Sequence, residues 1–152
     1  MKTFDTIEQL QAQIGQEIGA SNWLEISQER IQAFADATGD HQWIHLDEER
    51  ARRESPWGTT IAHGYLTLSL LPQLNQQIMQ LKGVKASINY GLDKLRFPAP
   101  VPSGSRVRSR LALASLKAQG NGRYLAKYTT TIEIEGGEKP ACVAENLVVY
   151  LV

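Results

Sequence analysis

At 152 residues the chain is long enough to close one hydrophobic core, and a single domain over residues 1–152 is expected. Sixteen lysines and arginines balance sixteen aspartates and glutamates, so no basic excess points to a nucleic-acid partner. No apolar run approaches the roughly 20 residues that span a bilayer, no signal-like core follows Met1, and one cysteine excludes an internal disulfide; a cytoplasmic protein with no membrane partner is expected.

In chain order, Phe4, Ile7, Leu10 and Ile14 fall at helical spacing and predict a short amphipathic helix over 4–14. Gly15 and Gly19 bracket a connector, and residues 22–26 read as extended. Ser27 suits an N-cap, Ile31, Phe34, Ala35 and Thr38 make one buried stripe, and Gly39 ends the helix by supplying a left-handed residue. A second short helix starts after Asp47 and stops near Ser55, because Pro56 disfavours helical geometry in the residue before it. Residues 61–81 are the longest apolar element and predict a buried central helix, kinked at Pro72.

From Lys85 the period changes to two. Ala86, Ile88, Tyr90 and Leu92 alternate, then Leu95 and Phe97 resume on the other parity, which predicts a β-bulge at Asp93-Lys94. Strands follow at about 105–118, 123–135 and 140–151, with Gly120-Asn121-Gly122 and Gly136-Gly137 as hairpin turns. The expectation is an α+β architecture: one long helix clasped by a curved antiparallel meander.

Asp40 and His45 lie five residues apart just beyond a helix end, and His63-Gly64 heads the apolar helix. A carboxylate and an imidazole together can hold and polarise one water. A glycine at a helix start leaves room for a ligand and offers a free amide that suits a developing oxyanion. The plainer readings are a turn-forming aspartate and a structural histidine, and the residue types alone leave both open.

A metal site drawn from Asp40, His41, His45, Asp47 and His63 is not expected. His41 and His45 would share a face only on a helix, and no cysteine joins them. A serine hydrolase is disfavoured by the absence of Gly-x-Ser-x-Gly, and Cys142 sits in an apolar run that predicts an inert thiol. Arg106, Arg108 and Arg110 share one strand face, read either as a solvated strand face or charged edge, or as a landing place for an anion.

Gly39-Asp40-His41-Gln42-Trp43-Ile44-His45 resembles the hydratase-2 signature of the MaoC-like dehydratases, Gly-Asp-x-Asn-Pro-aliphatic-His. Thr60-Ile61-Ala62-His63-Gly64 is similar to that family's entry to the hot-dog helix, and Leu95 to Val101 to its helix-covering strand and turn. Gln42-Trp43 departs from the usual Asn-Pro and looks most like the nodulation-protein-N-like branch.

The resemblance implies a hot-dog fold and reversible hydration of trans-2-enoyl thioesters to (R)-3-hydroxyacyl thioesters, with no metal or organic cofactor. It implies Asp40 and His45 as the catalytic pair and Gly64 as the amide that polarises the thioester carbonyl. His63, Tyr65, Lys94 and Arg96 are the candidate substrate-binding residues, the last two toward the phosphates of a coenzyme A or acyl-carrier-protein arm. A homodimer or dimer of dimers is implied as well. A hot-dog thioesterase and a non-catalytic acyl-thioester binder are the competing readings.

Overall fold

A computed structural model describes residues 1–152. Its elements are β1 (Lys2–Phe4), α1 (Ile7–Gln11), β2 (Glu17–Ala20), β3 (Leu24–Glu25), α2 (Gln28–Thr38), α3 (Trp43–Leu46), α4 (Glu48–Glu54), α5 (Gly64–Ser69), α6 (Leu71–Asn75), β4 (Met79–Leu81), β5 (Ala86–Arg96), β6 (Arg106–Gly120), β7 (Arg123–Ile134) and β8 (Cys142–Leu151).

Local chemistry sets the boundaries of α2. Ser27 Oγ accepts from the Arg30 amide at 3.2 Å, and Gly39 closes the helix at φ 81°, its amide donating to the Ala35 carbonyl. Ile31 and Ala35 are buried as expected, but Thr38 is exposed and donates back to the Phe34 carbonyl at 2.7 Å. Asp47 caps α4 by accepting from the Arg50 amide at 2.9 Å. Between them, Trp43–Leu46 makes one helical turn where the pattern gave no helix.

The long helix is shorter than its apolar run. Residues 61 and 62 are extended, with the Ala62 amide donating to the Val101 carbonyl and Ile61 bridging to Pro102. The helix then runs as α5 and α6, separated at Leu70 with Pro72 in the first turn of α6. A proline there removes a donor that a continuous helix would need, whereas the start of a new helix tolerates it. Met79–Leu81 turns away as a strand parallel to β1. Its apolar residues fit either period, and only tertiary pairing decides between them. The 4–14 helix contracts for the same reason: Phe4 lies in β1 and only Ile7–Gln11 is helical. Gly19, expected in a connector, falls in β2, paired with β6 across a register shift.

The main sheet is antiparallel, ordered β2-β6-β7-β8-β5, with β3 also on β6. The segment β6–β7–β8 is a meander. β5 is not its first strand but lies at the far edge beside β8, so the chain crosses the sheet between β5 and β6. The register of β5 shifts between Leu92 and Lys94, where the change of parity places a bulge, and again between Asn89 and Gly91.

Leu66, Leu70, Leu71 and Leu74 of the helix pair pack on Val107, Ile132, Cys142 and Ala144 of the sheet. A second cluster, with Leu10, Ile78, Leu111, Leu113, Tyr128 and Tyr150, fills the other end. Cys142 is fully buried, which pushes its thiol up to about 11.

The Arg106, Arg108 and Arg110 face is a charge ladder. The three guanidinium groups pair with Glu135, Glu133 and Glu17, and Arg108 also covers the Trp23 ring at 4.5 Å. Carboxylates already occupy the positions an incoming anion would take, so the solvated-face reading holds, although β6 is an interior strand and not an edge.

Candidate active site

Three segments meet at the start of α5: the loop after α2, the turn α3, and the extended Thr60–His63. The left-handed Gly39 turns the chain so that Asp40 stands exposed at the rim, its Oδ1 accepting from the Gln42 amide at 3.3 Å. The turn α3 carries His45 inward until it is 6% exposed.

His45 Nδ1–H donates to the Ile61 carbonyl at 2.7 Å, because a carbonyl can only accept. That fixes the tautomer and leaves Nε2 as a lone-pair acceptor. Burial holds the His45 pKa below the ordinary histidine value. The Ile61 carbonyl and Asp40 oppose this shift, and the neighbouring His63 adds to it. The imidazole is therefore neutral at pH 7.

His63 is 3% exposed, and its Nε2–H donates to the backbone carbonyl of Asp40 at 3.0 Å. Its ring stacks on His45 with centroids 3.8 Å apart and planes 25° from parallel, and Phe34 packs against it at 5.0 Å. One side-chain nitrogen or oxygen of each of Asp40, His45 and His63 lies within 4.8 Å of the others. A single water oxygen, at about 2.8 Å from the Asp40 carboxylate and the His45 imidazole, bridges a gap of that size.

The same three residues are the ones that proximity offers to a cation. Stacked rings, however, hold their in-plane lone pairs in two nearly parallel layers. Two such nitrogens do not converge on one ion at about 2.0–2.1 Å unless a ring turns. His41, the other histidine of that expectation, points to the surface, where the Asp36 carboxylate at 3.0 Å raises its pKa.

The amides of Gly64 and Tyr65 have no acceptor within the chain, as befits the first turn of α5. The reason for glycine differs from the expected one. A Cβ at position 64 would come 2.8 Å from the Phe97 ring, so the bare α-carbon makes room for Phe97 rather than for a ligand. Phe97 in turn meets Tyr65 edge-on at 6.1 Å, and Tyr65 is 67% exposed. This contact brings the end of β5 beside the start of the helix.

Of the two cations near the end of β5, Lys94 lies 3.5 Å from Glu145, and Arg96 donates only to the Leu95 carbonyl at 2.7 Å; both are exposed, on the sheet face opposite Leu95, which packs into the helix-side core. Trp43 turns outward beneath the Arg50 guanidinium, 4.2 Å from its ring centre.

Two bracing residues escaped the sequence reading. Gln28 Nε2 donates to the His45 carbonyl at 2.8 Å, and Thr60 Oγ donates to Gln28 Oε1 at 2.6 Å. Thr60 stands in the motif before His63, which is a signal of sorts. Gln28, at the start of another helix, carries none.

Residues 9–136 match the family model described as "MaoC like domain". The chain is 56% identical over 151 residues to a 3-hydroxyacyl-thioester dehydratase Z of Mycobacterium tuberculosis, covering 99% of each. It is 48% identical over 134 residues to a nodulation protein N of Rhizobium leguminosarum bv. viciae, covering 88% of this chain and 83% of that one. Among solved structures, the (R)-hydratase from A. caviae involved in PHA biosynthesis superposes with a TM-score of 0.71 at 29% identity, over 89% of this chain and 94% of the other. The expected hot-dog fold is borne out. On matched length, identity and shape together, the chain belongs to the MaoC-like dehydratase family.

Proposed function

We propose that this protein reversibly adds water to trans-2-enoyl thioesters to give (R)-3-hydroxyacyl thioesters, with Asp40 and His45 as its acid–base pair. The observation that carries the reading is the carboxylate and the neutral imidazole within 4.8 Å, with His45 Nδ1 pinned to a carbonyl and Nε2 left as acceptor. In hydration the pair holds a water through both its protons. The water oxygen bonds to the β-carbon, the C=C electron pair moves toward the thioester oxygen, and the Gly64 amide stabilises that charge. The pair takes one water proton and delivers one to the α-carbon, so H and OH are added in all. Dehydration retraces these steps.

The exposed Lys94 and Arg96 suit the phosphates of a coenzyme A or acyl-carrier-protein arm, and His63 and Tyr65 the thioester end of the substrate. β5 pairs only with β8 and exposes Ile88, Tyr90 and Leu92. A free, apolar edge of this kind suits a homodimer joined β5 to β5 about a two-fold axis. No helix is long and apolar enough to cross a membrane, in keeping with a cytoplasmic enzyme.

The test is the loss of enoyl-thioester absorbance when protein meets a short enoyl-CoA. Asp40→Asn and His45→Gln should each abolish it in a folded protein, and full activity in either variant removes the mechanism. Release of free thiol without hydration would make the protein a thioesterase instead.

A further inference from the structure

A cavity of about 960 Å³ lies between the helix pair and the sheet, reaching from Leu68 and Ser69 to Asn75, walled by β4 and floored by β5 and β8 with Tyr128 of β7. Its near end is one turn along α5, roughly 6–8 Å of helix rise from Gly64. The volume suits an acyl chain, but the lining is not that of a plain hydrocarbon slot.

Tyr128 and Tyr150, 2% and 7% exposed, face the cavity with their hydroxyls 2.7 Å apart. The two hydroxyls bring two protons and the bond between them uses one, so one buried O–H has no acceptor in the chain. Burial raises the pKa of both phenols, so both stay protonated. Across the strand pair from Tyr128 is Asn146, whose Oδ1 accepts from Thr130 at 2.7 Å. Asn75 Oδ1 likewise accepts from Ser109 at 2.7 Å. Each asparagine thereby keeps an amide NH2 with no acceptor in the chain, and both line the same cavity. No acidic or basic side chain lines it. Gln76, Gln80, Ser87 and Asn89 also line it but are exposed to water; the groups left unmet on its less exposed lining are donors, and what meets them is an acceptor oxygen.

We infer that this cavity takes the distal part of the acyl group, and that Tyr128, Tyr150, Asn146 and Asn75 select chains bearing a hydroxyl or keto oxygen over plain alkyl chains. The inference rests on the thioester reading above and adds the substrate class. A site built to hydrogen-bond an oxygen discriminates against the analogue lacking it, because its own donors are then left buried and unpaired.

The test is a binding experiment that needs no turnover. Medium-chain saturated acyl-CoAs are titrated calorimetrically into the wild-type protein beside their terminal-hydroxy and penultimate-keto counterparts, with the oxygen position varied through chain length. At least one oxygenated member should bind about tenfold tighter than its plain partner, and the two arms tell hydroxyl from keto. In the double variant Tyr128→Phe/Tyr150→Phe that ratio should fall toward one. Asn146→Leu is the second variant should the double one not fold.

Equal or weaker binding of every oxygenated member, or failure of every acyl-CoA to bind, overturns the inference. A preference that survives undiminished in folded variants overturns it equally. Retained preference without hydration of any enoyl-CoA would instead sink only the catalytic reading.

Discussion

The imidazole of His63 lies face to face on that of His45 while its Nε2–H holds the backbone carbonyl of Asp40. One buried side chain thus touches both members of the proposed pair: it fixes the loop that carries the carboxylate and forms one wall of the slot that holds the base. Its Nδ1 is buried without a partner, an arrangement that costs about 1–3 kcal/mol where nothing offsets it. Retaining it is understandable if the ring positions the pair.

The first prediction concerns pH. Burial lowers the His45 pKa, and the neutral ring is the form that accepts from water. As pH falls, kcat/KM should hold through 6.5 and decline only below it, with the inflection at the depressed value. The same sign applies to folding. Stability from the neutral ring is complete above 6.5 and is lost as pH falls through the folded-state value. A kcat/KM profile with its acid limb above 6.5 would contradict the assignment.

Replacing His63 tests its positioning role. His63→Leu keeps bulk against Phe34 but frees the Asp40 loop and removes one of the influences that lower the His45 pKa. It should cut kcat by about 10–100-fold, in line with the sensitivity of catalysis to small misplacements. It should also move the acid limb up toward the ordinary histidine value. A merely structural histidine would lower stability and leave the pH profile where it was.

Gly64→Ala places a methyl group 2.8–3.0 Å from atoms of the Phe97 ring, well inside contact distance. Overpacking of this kind costs about 1–3 kcal/mol, read as a lower urea midpoint at unchanged m-value. Phe97→Leu in the same chain should restore part of the loss. Such coupling between the two sites would show that the glycine is there for the ring.

How far all this could be read from the chain depends on the range of the forces involved. Ser27, Gly39 and Asp47 act within one helical turn of themselves, and their effects on α2 and α4 were legible. The bulge near Asp93 was legible because a parity change is a local fact. Met79–Leu81 was not, since a three-residue apolar strand exists only because β1 lies beside it. The place of β5 beside β8 was hidden for a similar reason, because strand order is set by packing across the whole sheet.

At the site, the motif brought out Asp40, His45 and Gly64. The stacking of His63 on His45 and the brace from Gln28 depend on ring orientation and on contacts 17 or more residues apart. No periodicity encodes them.

The Gln28–Thr60 brace gives a fourth prediction. Gln28→Leu leaves the His45 carbonyl without its donor and strands the Thr60 hydroxyl, a buried group. The expected loss is about 1–3 kcal/mol of stability, together with a drop in kcat of roughly tenfold as the α3 turn loosens. Thr60→Val removes only the outer bond and should show a smaller effect on kcat, measured in the same hydration assay.

The final prediction separates the two sets of surface cations. Arg106 and Arg110 each already pair with a carboxylate, so an approaching phosphate would have to displace Glu135 or Glu17 and leave it unpaired. Arg96 has no carboxylate partner among the ion pairs, and Lys94 has only Glu145 at 3.5 Å; both lie near the end of β5 just before Phe97, on the sheet face opposite the helices. Lys94→Gln/Arg96→Gln should therefore raise KM for an enoyl-CoA several-fold, by more at low salt, where screening is weakest. Arg106→Gln/Arg110→Gln should leave KM unchanged and only reduce the salt sensitivity of unfolding. The reverse ranking, with KM tracking the arginine ladder, would move the phosphate contact to β6. It would also mean that the ladder opens when substrate binds.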